Sequence, residues 1–501
     1  MIKRLLLGLL ALVLLLVVAL AVNTARQGSR QLQVPPVQGV AVDERAVADS
    51  LAVAIRARTV SSADDAALNT DQFQALHAHL QARYPRVHAT LKREVVGGLS
   101  LLYTWAGTDP QAAPFALMAH QDVVPIAPGT EGDWKAAPFG GEVKEGYVWG
   151  RGSWDDKANL IAQMEAVEKL LEAGFQPRRT LYLVFGADEE VGGQRGALQI
   201  ARLLGSRGLK LEFVVDEGLL ITEGIMPGLK APAALIGIAE KGFLSVALRS
   251  KATPGHSSMP PPPGQSAIGQ LSRALARVDA TPMPAALKDV ASGMFDAVAP
   301  EFEGFSRVAL TNRWLFEPVL MKQLQKGAST NAMLRTTTAL TIVNAGNKEN
   351  VLPGRAEAVV NFRLLPGDTR ETVLQHLART IDDPAIEIQA LPGDSPASRV
   401  ASTQSASYQT INRTVRELFP GTLVAPGLML GATDARHFEP FTQQVFRFSP
   451  IRAKPEDLAR FHGTNERIAL ANLADLVRFY HRLVQHSAGP VVAAAQQTAS
   501  R

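Results

Sequence analysis

The chain has 501 residues, 51 basic against 47 acidic, and no cysteine. A charge this nearly balanced, with no Lys/Arg run, excludes a nucleic-acid surface of the usual basic type. The lack of cysteine excludes a disulfide framework, a thiolate metal site and a cysteine nucleophile, and the length exceeds what one core usually holds.

The chain opens with Lys3-Arg4 and an unbroken apolar run from Leu5 to Val22. This is the lower length limit for a membrane-spanning helix and slightly long for a signal-peptide core. Residues 1–22 therefore read as a signal anchor or, with Ala19-Leu20-Ala21 as a cleavage site, a signal peptide. The preceding charges place the body of the protein on the non-cytoplasmic side, membrane-anchored, or secreted or periplasmic if the segment is cleaved. Residues 23–41, with Pro35-Pro36, read as a linker.

From residue 42 apolar spacing predicts helices over Val42–Val60 and Thr70–Tyr84, then strands around Ala89–Val95, Leu99–Thr104 and the approach to His120. His77, His79 and His88 read as ordinary surface or half-buried residues. A β-hairpin precedes Gly150-Arg151-Gly152, a helix follows from Ala158 to Ala173, and a strand runs from Arg178 to Phe185. A helix over Gly196–Leu204 and a strand from Leu211 ending at Asp216-Glu217-Gly218 complete the run. Strands alternating with helices imply a mostly parallel sheet with crossover helices. Three of its apolar runs end in His120-Gln121-Asp122, Trp154-Asp155-Asp156 and Asp188-Glu189-Glu190. Side chains delivered to the carboxyl edge of such a sheet lie where open α/β sheets bind ligands. A convergent His, Asp and Glu set suggests a divalent metal site.

Near Lys241 the pattern changes to half-exposed strands, with helices over Ser266–Val278 and Arg370–Ile381. The order is β-α-β-β-α-β, an α+β domain inserted into the first, interrupted by a helical insertion over Pro282–Ser329. The expected division is a catalytic domain from 42–241 and 396–487, an inserted lid or dimerisation domain over 242–395, and a disordered tail over 488–501.

Asp122 lies two residues after His120, on the same strand face, so it can fix the imidazole tautomer. Adjacent Glu189 and Glu190 point apart, so one can hold metal while the other acts as general base. His-x-Asp, Gly-Arg-Gly-x-x-Asp-x-Lys, Glu-Glu, Asp-Glu-Gly and the late His462-Gly463 follow one another between His120 and His462. In that order they resemble the dizinc aminoacylase/carboxypeptidase family, and among its members carboxypeptidase S and the N-fatty-acyl-amino-acid synthase/hydrolase.

The resemblance implies two Zn²⁺ per subunit, with Asp155 as bridge, His120 and Asp216 on one ion, and Glu190 and His462 on the other. Cobalt or manganese also suit such ligands. It implies Glu189 as general base, His256 in Pro254-Gly255-His256 as oxyanion donor, and Asn350 and Arg363 as binders of a substrate carboxylate. Gly431, in Gly431-Ala432-Thr433-Asp434-Ala435-Arg436, belongs to a pocket loop. Asn361 stands where the family has Asp beside this Arg. The implied activity is hydrolysis of N-acyl amino acids or of peptides with a free C-terminal carboxylate, in a homodimer formed through the inserted domain. The alternative is a non-catalytic metal-binding or sensing protein on the same scaffold. No Gly-x-Ser-x-Gly elbow favours a serine hydrolase.

Overall fold

The computed structural model describes residues 1–489, so the tail expected to be disordered lies, apart from its first two residues, outside the described part. Eight strands form the large sheet, in the order Lys92–Val96, Ser100–Trp105, Leu181–Gly186, Phe115–His120, Val214–Thr222, Val445–Ala453, Ala233–Glu240 and Leu423–Met429. Phe115–His120 is parallel to both its neighbours, with His120 opposite Gly186. Val445–Ala453 runs parallel to Val214–Thr222, and Leu423–Met429 runs parallel to Ala233–Glu240. The sheet is thus mostly parallel, with an antiparallel flank at the Lys92 edge.

Both faces of this sheet are covered, which is why its strands read as continuous apolar runs. Leu117, Leu183 and Phe185 pack into the larger core with helices Glu44–Arg56, Lys157–Glu172 and Leu470–Ala488. Met118, Tyr182 and Val184 point the other way, against helix Ala197–Ser206.

Three local expectations are corrected. Pro85–Thr90 forms a short helix, with proline in its first turn, so the strand expected from Ala89 begins at Lys92. The strand expected to end at Asp216 runs on to Thr222. Ala233–Glu240 is a further strand, before the change of pattern at Lys241.

A second sheet, antiparallel throughout, has the order Thr337–Asn344, Arg355–Leu364, Gly242–Lys251, Ile386–Ala390. Along Arg355–Leu364 alternate residues Ala356, Ala358, Val360 and Phe362 are buried. They pack with helices Ala267–Ala280 and Arg370–Ile381, started by side-chain caps from Ser266 and Thr369. The chain passes between the two sheets at Glu240-Lys241-Gly242. A Cβ on Gly242 would lie 2.4 Å from Ala397 N and 2.6 Å from Ser395 O, so only glycine fits this close approach. Buried Lys241 donates from Nζ to the carbonyls of Ala332 and Arg335, each at 2.9 Å.

The helical insertion comprises Asp289–Val298, Gly304–Thr311, Arg313–Leu324 and Ala328–Leu334. It packs on the large sheet, where Met294, Phe295 and Val298 meet Leu423 and Ala425. The first helix, Ile2–Arg26, carries the apolar run, exposed along its length, and is long and apolar enough to cross a membrane. Its final turn and the segment after it are held to the body. Gln31 donates to Ala297 O and Val424 O, and accepts from Val424 N at 2.7 Å.

Candidate active site

The site is built from strand ends. His120 ends the central strand, Asp155 follows the Gly150–Ser153 turn, and Glu189–Val191 is a single 3₁₀ turn after Leu181–Gly186. The structure brings His120, Asp155, Glu190 and His462 together. Asp155 Oδ1 lies 2.9 Å from His120 Nε2, and its Oδ2 lies 2.8 Å from His462 Nε2. Glu190 Oε2 is 3.4 Å from His462 Nε2. One carboxylate thus faces two imidazoles, one with each oxygen, and the Asp155–Asp156 peptide is cis.

Asp122 holds this arrangement from behind. Its backbone oxygen lies 2.9 Å from His120 Nδ1, with Oδ1 at 3.4 Å, so the Nδ1–H is engaged and Nε2 is left for the cluster. The same carboxylate accepts from Glu189 N and Glu190 N, both at 3.1 Å, and from Ser61 Oγ at 2.7 Å. It therefore fixes the turn that carries Glu189 and Glu190 as well as the ring of His120.

Asp216 is buried beside the cluster, but its oxygens accept from Glu217 N and Ala435 N at 2.9 and 2.8 Å. The carboxylate that approaches His120 Nε2 is that of Glu217, at 3.5 Å. The sequence pattern ends the strand at Asp216-Glu217-Gly218 and gives Glu217 no role. Because the strand continues to Thr222, Glu217 is buried in it next to Asp216 and beside the His120 ring. His120, Asp156 and Glu217 form a second group whose potential ligand atoms lie within 4.8 Å of one another, as do those of His120, Asp155 and Glu190.

The late motif is fastened to the Gly150 turn by Glu466, to which sequence reasoning gave no role. Its Oε2 accepts from Arg151 Nη1 at 2.6 Å. Its Oε1 accepts from Gly152 N, Trp154 N and Asp155 N at 2.9, 2.9 and 3.2 Å. Arg151 Nη2 also donates to His462 O, and Phe461 stacks on the His462 ring with centroids 4.7 Å apart. Lys157, the lysine of the Gly-Arg-Gly-x-x-Asp-x-Lys motif, donates to Ala54 O and Ala57 O at 2.9 and 2.6 Å. Burial lowers its pKa to about 7.

The charge balance suits cations. Asp122, Asp155, Asp156, Glu190, Asp216 and Glu217 surround two imidazoles, and burial followed by mutual repulsion raises the pKa of Glu190 and Glu217. Burial opposes protonation of His120, but hydrogen bonds to Asp122, Asp155 and Glu217 outweigh it and raise its pKa well above the ordinary value. His462, hydrogen-bonded to Asp155 and Glu190, is raised to about 10. Among the described residues, Glu190 Oε1 and both oxygens of Asp434 are buried without a hydrogen-bond partner. A Cβ on Gly193 would lie 2.0 Å from Asp434 Oδ1, and one on Gly186 2.4 Å from Oδ2, so these two glycines make the space that carboxylate fills. Imidazole and carboxylate donors with a surplus of buried negative charge fit divalent cations.

The residues expected from the inserted domain lie apart from this cluster. Gly255–His256 pairs with Val351–Leu352, and the exposed His256 ring meets Ser258 Oγ through Nδ1 at 2.8 Å. Asn350 O accepts from Ser257 N, so Asn350 and His256 are neighbours on this ribbon. Arg363 lies over the Phe243 ring at 5.2 Å, while Asn361 donates to Ser245 Oγ. Burial and the nearby Arg436 guanidinium both lower the Arg363 pKa. Gly431 follows strand Leu423–Met429. His77, His79 and His88 bond to Gln121, Ser50 and Tyr103, away from the cluster.

Residues 116–486 match the model of peptidase family M20/M25/M40. The chain belongs to this family. It is a metal-dependent hydrolase of the M20 type. It is 40% identical over 448 residues to the N-fatty-acyl-amino acid synthase/hydrolase PM20D1 of Xenopus tropicalis, covering 89% of this chain and 86% of that one. It is 36% identical over 496 residues to the probable carboxypeptidase S-like 2 of Dictyostelium discoideum, covering 97% and 93%. The M20 metallo-carboxypeptidase Sso-CP2 of Sulfolobus solfataricus shares the fold, with a TM-score of 0.63 at 16% identity over 89% of this chain and 99% of that one.

Proposed function

We propose that this M20 hydrolase cleaves the amide bond of N-acyl amino acids or of peptides with a free C-terminal carboxylate. The observation that carries the reading is Asp155, whose two oxygens each meet a different imidazole, at 2.9 and 2.8 Å, beside Glu190. We assign two divalent cations, zinc by ligand type, with Asp155 shared, Glu190 and His462 on one side, and His120 with Asp216 on the other. Cations held there would supply Lewis acidity to water and to the substrate carbonyl.

The chain's own residues do the remaining work. Glu189, its backbone fixed by Asp122, takes the proton of the attacking water on its carboxylate and delivers it to the departing nitrogen. Asp122 keeps His120 in the tautomer whose Nε2 faces the cluster. When the inserted domain closes over the substrate, His256 donates to the developing oxyanion. Arg363 and Asn350 bind the substrate's carboxylate, and the Gly431 loop lines the same space. Support for Arg363 comes from its surroundings: it stacks on Phe243 and shares its neighbourhood with Arg436, a positive pair suited to an anion. Similarity to relatives named as an N-fatty-acyl-amino acid synthase/hydrolase and as a probable carboxypeptidase S-like protein supports these two substrate classes. We assign the N-terminal helix as a signal anchor that keeps the body on the non-cytoplasmic face.

The test is hydrolysis of a long-chain N-acyl amino acid, N-acetyl-methionine and a dipeptide by the full chain in detergent, with and without chelator. Chelator-sensitive cleavage that falls about 10²–10⁴-fold in Glu189→Ala is expected. A zinc-loaded protein that cleaves none of the three would refute the proposal.

A further inference from the structure

Helix Arg313–Leu324 has no buried residue of its own among the described residues, although it carries seven large apolar side chains. Leu320 and Leu324 pack partly against the insertion's core. Trp314, Leu315 and Val319 point outward, 65%, 38% and 66% exposed. On the preceding helix, Gly304–Thr311, Phe305 is 70% exposed and touches Phe316 edge-on at 5.5 Å. Two adjacent helices thus present one apolar surface to the outside. A contiguous patch of this kind marks an interaction site.

The contacts of the first helix show what covers it. The two patch helices meet at Thr311-Asn312, and this corner is bonded to the end of helix Ile2–Arg26. Asn23 Nδ2 donates to Thr311 O and Asn312 Oδ1, both at 2.9 Å. Asn312 Nδ2 donates to Thr24 Oγ1 at 2.9 Å and reaches Leu20 O at 3.4 Å. Gln27 Nε2 donates to Thr311 O, and Arg307 Nη2 to Gln27 O. The apolar run ends at Val22, so the corner sits at the level where an anchored helix leaves the hydrocarbon. The run of about 18 residues spans about 27 Å, close to the thickness of a bilayer core.

We infer that Gly304–Thr311 and Arg313–Leu324 form an in-plane lipid-binding element, with Phe305, Trp314 and Val319 seated in the headgroup–acyl boundary of the leaflet from which the first helix emerges. Exposed aromatic side chains, tryptophan above all, favour that depth. The body is then held against the membrane at two places, the spanning helix and this hairpin, and its orientation to the bilayer is fixed. The occupant argued for the patch is lipid, because the corner that its two helices share is bonded to the end of the helix read as the anchor. The inference rests on the reading of that helix as an anchor.

The cysteine-free sequence makes the test direct. Single Val319→Cys, Leu14→Cys and Leu340→Cys variants of the full chain are spin-labelled and reconstituted in 3:1 phosphatidylcholine:phosphatidylglycerol vesicles. The ratio of oxygen to nickel-chelate accessibility is then measured at each site. Leu340, 41% exposed on the inserted domain's edge strand, is the water reference, and Leu14 reports the anchor. The expected ratio at 319 is at least about threefold that at 340 and below that at 14. A 319 label equal to the 340 label while 14 lies in lipid overturns the lipid-binding element alone. A 14 label in water overturns the anchor and the element together. A 319 label shielded in detergent, with doubled mass, assigns the patch to a second copy and overturns the inference.

Discussion

Glu466 gives the sharpest test of how the site is assembled. Its carboxylate accepts from Arg151 and three backbone N–H groups, all buried, and so ties the His462 segment to the turn that presents Asp155. In Glu466→Gln, Oε1 still serves the three N–H groups, but Arg151, 2% exposed, keeps its charge without a counter-ion. Removing one partner of a buried ion pair costs about 3–5 kcal/mol, whereas replacing both by uncharged groups is near neutral. Glu466→Gln should therefore destabilise by about 3 kcal/mol, and Arg151→Met with Glu466→Gln should regain most of that loss. If the metal-binding arrangement and the turn are ordered together, the same energy appears as a fall of about a hundredfold in metal affinity. Urea unfolding and competition with a chelating dye, read on the parent, both single variants and the double variant, measure the two effects. Additive single-variant losses, with no recovery in the double variant, would refute the clamp.

Asp216→Asn and Glu217→Gln separate two candidate ligands. If Asp216 moves from Ala435 N to the cation, only Asp216→Asn lowers bound metal, and if the 3.5 Å approach of Glu217 to His120 reports coordination, Glu217→Gln does so. Metal analysis after dialysis decides, and the Asp216 variant should lose at least one ion. His481, buried and remote from the cluster, has its pKa lowered to about 4 by burial, then by Lys169 and Arg482. The unfolded chain takes up that proton as pH falls from about 6.5, and the folded chain only near 4. Stability should therefore fall across this window, by about 3 kcal/mol at most, and His481→Leu should flatten that limb in parallel acid-unfolding curves. Lys241→Met leaves the carbonyls of Ala332 and Arg335 without their donor, at about 1–3 kcal/mol each before relaxation, and hydrogen exchange should quicken around Arg335.

The catalytic strands, the β-α-β-β-α-β order of the second sheet and the convergence of His120, Asp155, Glu190 and His462 were legible because each signal is local. His120 and Glu190 follow apolar strands of the large sheet, Asp155 follows a glycine-rich turn, and His462 belongs to the late His-Gly motif. Glu217 was not legible, because a strand that continues past Asp216 differs from one that stops there only by tertiary pairing with Val445–Ala453. Glu466 bonds to Arg151 across more than 300 residues, and no spacing reports such a contact. The insertion's place on the large sheet depends on the fit of Met294 and Phe295 to Leu423 and Ala425, which the helical pattern does not encode. Lys157 lies beside Asp156 in sequence, and nothing there reports that its ammonium reaches the Ala54 and Ala57 carbonyls at the end of helix Glu44–Arg56.

The central claim is that Asp155 joins two cations. Metal content per chain, measured by plasma mass spectrometry on zinc-saturated and then dialysed protein, tests it most directly. Two ions in the parent and loss of both in Asp155→Asn is the predicted result. One ion in the parent, or an Asp155→Asn variant that keeps two, would contradict it.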